Sequence, residues 1–138
     1  MERLRKTNRY KGLAVVEAAL ILPILLIFLM GLIEYGWLFL KSHQITNTVR
    51  QAVRVAIRAD ATNTDVIDNT IVPLMTNAGL DGKYTYQIIP DNVSSAAVGD
   101  FITVKITVPY ANIDILNIIL LPKPDAIGAS VTMSKEGF

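Results

Sequence analysis

No cysteine occurs among the 138 residues. Disulfides, thiolate metal sites, cysteine nucleophiles and lipoprotein lipidation are therefore excluded. A single histidine, His43, rules out a multi-histidine metal centre or a histidine-rich active site. The sequence has no phosphate-binding glycine loop, no serine–histidine–acid arrangement and no cluster with metal-ligand spacing. Asp60, Asp65 and Asp68 are the densest acids outside the apolar region, and acids near a helix start are an ordinary first-turn preference. No catalytic residue, metal ligand or cofactor is assigned. Aromatic residues are few, at 7%, and are not interleaved with basic ones after the first residues, so nothing supports nucleic-acid binding. Charged residues make up only 18%, against 51% hydrophobic. With a mean hydropathy of +0.41, the chain is too apolar to be disordered and unusual for a small soluble domain. Part of it is expected to sit in lipid.

That part is easy to find. Between residues 13 and 40 the only carboxylates are Glu17 and Glu34, and the run from Ala18 to Ile33 is uncharged. Its Leu, Ile and Phe side chains supply roughly −3 to −7 kcal/mol toward membrane insertion. As a helix, residues 13–40 would be about 42 Å long, against a hydrocarbon core of about 30 Å. The stretch can span a bilayer with one carboxylate near each interface, and Glu34 reads as a secondary intramembrane acid. A buried core helix is a poor alternative, because so short a remaining chain could not wrap an all-round apolar helix. A cleaved signal peptide fits poorly too. Gly31-Leu32-Ile33-Glu34-Tyr35-Gly36-Trp37 places bulky residues where small ones are required.

Charge sets the orientation. Residues 1–12 carry Arg3, Arg5, Lys6, Arg9 and Lys11 against Glu2, a net +4, while the rest of the chain is net −3. The positive-inside rule then places residues 1–12 in the cytoplasm and the region after residue 40 outside.

The junction reads Lys11-Gly12-Leu13-Ala14-Val15-Val16-Glu17. A basic leader ends in Gly, an apolar run follows, and a lone Glu is fifth after the Gly. This resembles a prepilin cleavage site, which implies cutting after Gly12 by a membrane aspartyl peptidase. The new amine of Leu13 would be cationic near neutral pH, with Glu17 one turn away to pair with it or with a neighbour's amine. The plainer reading is that Glu17 caps the helix at headgroup level.

The run from Gly12 through Pro23, followed by Gly31-Leu32-Ile33-Glu34-Tyr35-Gly36, resembles the TadE family of tight-adherence pilus biogenesis. The family commonly has an aromatic residue directly after the Glu, where this chain has Ala18. The resemblance implies a minor pilin, or pseudopilin. It would be a substrate of prepilin peptidase, held in the inner membrane, with other pilins and pilus-assembly platform proteins as partners and no enzymatic activity. An uncleaved, signal-anchored sensor or binding domain is the alternative, and an anchored enzyme a weaker third.

Beyond the span, Ile45, Val49, Ala52, Val53 and Ala56 share one helical face, while Arg50, Arg54 and Arg58 form a basic stripe. The stripe reads as a solvated face or as a surface for acidic partner subunits or outer-leaflet phosphates. The spacing predicts one long helix over 13–59, transmembrane first and amphipathic afterwards. A short second helix is expected over 64–77, capped by Thr62, Asn63 or Thr64, broken or kinked at Pro73 and stopped by Gly79. Three strands follow, at 84–89, 101–108 and 127–134. The expected fold is α+β, with a small antiparallel sheet packed on the amphipathic part of the helix. Residues 1–12 form the leader, 13–40 the span, and 41–138 an extracytoplasmic pilin-like domain. The apolar connection 111–124 is too short to span a bilayer and is expected either to complete the core or to present an apolar subunit or membrane contact.

Overall fold

A computed structural model describes the backbone of residues 8–115 and 122–137, with side chains in the N-terminal helix from Gly12 onward. Residues 1–7, within the expected leader, and 116–121 of the apolar connection lie outside the described residues.

The first element is a helix of 49 residues, α1 (Asn8–Ala56). It begins upstream of Gly12, so this glycine is an interior position of the helix and not a joint. It also runs through Pro23, which has no N–H to offer the carbonyl of Ala19. The helix ends three residues earlier than its periodicity suggests. Arg58 N–H bonds to Val55 O and Ala61 N–H to Arg58 O, a tightening into shorter-range bonds that turns the chain back.

The returning segment, 63–77, is helical but not uniform. Thr62 caps α2 (Asn63–Val66) in a reciprocal box with Asp65, satisfying backbone donors at the helix start. A π turn follows at Ile67–Ile71, then α3 (Val72–Asn77). The break expected at Pro73 thus takes the form of a widened turn just before it. Val72 N–H reaches back to Ile67 O, and Thr70 Oγ1 donates to Asp65 O at 2.8 Å. Extra room at this turn accommodates the proline ring, which would otherwise crowd a preceding carbonyl. Gly79 ends the segment at φ +70°, a left-handed position that suits a residue without Cβ.

Strands β1 (Thr85–Ile89), β2 (Phe101–Pro109) and β3 (Ala126–Ser134) form an antiparallel meander in the order β1-β2-β3. The fold is α+β, as its patterning predicts. Ile102, Val104, Ile106 and Val108 are fully buried against Ile45, Val49, Val53 and Ala56 of α1 and Val66, Ile71 and Met75 of the returning segment. The opposite face is polar, with Thr103 and Thr132 hydroxyls 2.8 Å apart. Gly128 pairs with Thr107, where an added Cβ would come within 2.6 Å of Ile106 O. The connection contributes Ile113 to the core, while Ile115 is half exposed.

Candidate functional site

The helix α1 divides into two stretches. From Leu13 to Ile33 its large apolar side chains are exposed all round. Its most apolar window has a mean hydropathy of 2.8 and no buried residue. Packing inside the chain does not account for this surface, whereas a bilayer does. Gly12 lies at its start, and a Cβ there would meet nothing within 4 Å. Glu17 is exposed on the same stretch. Cutting after Gly12 would convert Glu17 from an interior helix position into a first-turn residue beside the new amine.

The second stretch begins where the sheet domain grips the helix. The side chain of Glu34 is buried and accepts two hydrogen bonds from the connection. Tyr110 Oη donates at 2.7 Å and Ile115 N–H at 3.3 Å. On adjacent turns, Tyr35 Oη donates to Pro122 O at 2.8 Å and Trp37 Nε1 to Ile113 O at 3.0 Å. Lys41 lies 4.5 Å from the Trp37 ring centre and donates to Ala78 O at the end of α3. Glu34, which sequence alone gives only as an intramembrane acid, is thus a partnered group at the foot of the domain. Burial, and then the bond to Glu34, push the Tyr110 phenol well above its ordinary range. Burial and the charge of Lys83 pull the Lys41 ammonium down.

Sequence reasoning misses Trp37 and Lys41 as parts of this clamp. A Trp and a Lys at the C-terminal end of an apolar span are the available signal, since both favour membrane interfaces. Beside the clamp lies a groove of about 1030 Å³ with no charged side chain among its described lining residues, which include Ile24, Ile27, Phe28, Leu32, Phe39 and Ile127. His43 is exposed and packs edge-on against Phe39 at 4.4 Å. Arg50, Arg54 and Arg58 lie on the exposed face of α1. Arg58 is 3.4 Å from Asp60, and among the described residues Arg50 and Arg54 make no salt bridge.

A single apolar helix passes unbroken into the core of a small α+β domain, the arrangement of a single-span membrane protein. Residues 12–54 match the model of a family described as TadE-like protein. The match starts at Gly12, takes in the apolar span and the clamp side chains of α1, and stops before the sheet. No curated protein and no solved structure matches the chain.

Proposed function

We propose that this chain is a minor pilin, or pseudopilin, of a tight-adherence pilus assembly system, processed by a prepilin peptidase after Gly12. The observation that carries this reading is the continuity of α1. One helix bears the Gly12–Glu17 junction, a bare apolar span and the buried face of the domain, and the TadE-like match falls on that helix. The leader lies in the cytoplasm and the domain outside the inner membrane, because a +4 leader resists translocation.

Processing exposes the Leu13 amine, which Glu17 pairs within the subunit or in a neighbour. An unpaired charge at that depth costs several kcal/mol. The apolar stretch packs against other pilin helices, and the groove beside the clamp gives such a helix, or a lipid chain, a place to lie. The role is structural, with no reaction assigned.

Intact-mass measurement of the membrane-extracted protein tests the reading. The expected product lacks Met1–Gly12 and starts at Leu13. Gly12→Val should retain the leader while leaving the fold unchanged, because its side chain projects into open space. Full-length wild-type protein in cells with an active prepilin peptidase would refute processing and favour an uncleaved anchored domain. Glu17→Ala should leave cleavage largely intact but reduce pili. Normal pili with Glu17→Ala as the sole copy would make Glu17 a simple interfacial cap.

A further inference from the structure

Charge is segregated in the part of the chain beyond the span. Residues 41–59 carry Lys41, Arg50, Arg54 and Arg58 and no acid, whereas residues 60–138 carry nine acids and four bases. The fold brings the two groups of charge to matching levels. The segment 63–77 starts beside Arg58 and ends where Lys41 bonds Ala78 O, so it descends antiparallel to α1. At about 1.5 Å per residue, Arg50 and Arg54 stand about 13 and 20 Å above Lys41. On the same scale, Asp68 and Asp65 stand about 15 and 20 Å above Ala78. Arg50, Arg54 and Asp68 are exposed, and Asp65 is half-buried. Among the described residues Arg50, Arg54 and Asp68 make no salt bridge.

We propose that copies of this chain associate side by side in the membrane, with the Arg50 and Arg54 face of one copy against the Asp65 and Asp68 face of the next. Because the two charge pairs stand at equal height, the contact forms with both spans upright in one bilayer. A headgroup partner fits less well, since the arginines rise about 13–20 Å beyond the end of the span. Surface ion pairs are individually weak. Confinement of both copies to one membrane raises their effective concentration enough for a weak contact to be populated. The contact is head-to-tail, so it extends into a row and does not close as a twofold dimer. This inference rests on the anchored, single-orientation reading of the chain.

Disulfide capture in membranes tests it, against a native background without cysteine. Gln51→Cys and Asn69→Cys each place a thiol on an exposed position next to one of the two faces. Co-expressed in the full chain and mildly oxidised, they should give a disulfide dimer, and neither variant should do so alone. Adding Arg50→Glu and Arg54→Glu to the Gln51→Cys copy should cut the yield at least ten-fold. Asp68→Lys in the Asn69→Cys copy should restore part of it. Four results would overturn the proposal: no mixed dimer, dimers of Gln51→Cys copies alone, capture of a different protein only, or a yield unchanged by charge reversal. Carbonate extraction of the same membranes separates the causes. Retained protein without the dimer defeats the lateral contact alone, and released protein defeats the anchored reading beneath it.

Discussion

The two stretches of α1 share a backbone conformation and differ in everything else. Residues 13–33 expose their large apolar side chains on all sides, whereas from Glu34 to Ala56 one face is buried and the exposed face turns polar after Leu40. Helix formation is therefore not what distinguishes them; the intended surroundings are. In the upper stretch the sheet supplies the apolar contact and leaves a solvated side. In the lower stretch no part of the described chain does, and lipid is the surface that suits an all-round apolar helix. The transition is abrupt because Glu34, Tyr35, Trp37 and Lys41 all bond to the domain within two turns. Such a clamp holds the domain at a fixed level relative to the span.

The largest effect expected from this contrast comes from charging the lower stretch. Leu22→Lys combined with Leu26→Lys adds about 2.5–3.5 kcal/mol of insertion cost per residue near the helix centre. That offsets most or all of the estimated insertion energy, so the protein should become carbonate-extractable. Truncating large side chains should separate the stretches next. Ile106→Ala removes a fully buried side chain under α1 and should cost about 2–5 kcal/mol in denaturant unfolding of the detergent-solubilised domain. Ile27→Ala, exposed in the span, should leave that unfolding midpoint unmoved.

A smaller effect is expected at the boundary. Tyr110→Phe deletes a hydrogen bond to a buried carboxylate, for which about 1.5–3 kcal/mol is typical. It should also change the alkaline limb of the stability curve. The Tyr110 phenol holds its proton more tightly when folded. Its contribution is complete below the unfolded value of about 10 and fades as pH rises through the higher folded one. Stability of the wild type relative to Tyr110→Phe should therefore fall above about pH 10. Lys41 works in the opposite sense, since burial lowers its folded value. Both proteins retain it, so the difference isolates Tyr110. Equal alkaline slopes in urea-unfolding titrations would count against the buried bond.

Local features of the fold were legible because they repeat. The apolar run, the period of Ile45, Val49 and Val53, and the alternation of Ile102, Val104, Ile106 and Val108 each mark an element and its buried side. Thr62 stood among the predicted caps, and Gly79 ends its helix as predicted. Long-range pairings left no such trace. Nothing in the neighbourhood of Glu34 points to Tyr110, distant in sequence and brought back by the sheet. Pro73 signals a break, but the local sequence does not say that the break is a π turn. Lys41 reads as a charge flanking the span, because the carbonyl it meets belongs to a helix end that only the return of the chain brings near. Of the candidate residues, Gly12, Glu17 and the arginine stripe rest on motif and spacing alone. The aspartates level with that stripe depend on the antiparallel descent, and no periodicity reveals them.

The distinction between the stretches is tested most directly by single-cysteine accessibility in the native membrane. Cysteines introduced singly at Leu20, Ile24 and Phe28, and at His43, Asn47 and Gln51, all occupy exposed positions of α1. A water-soluble maleimide applied to opened membrane vesicles should label the second set rapidly and the first set at least ten-fold more slowly, with both sets labelled alike after denaturation. Comparable labelling of Phe28→Cys and Gln51→Cys before denaturation would show that the lower stretch meets water, and that lipid is not what covers it.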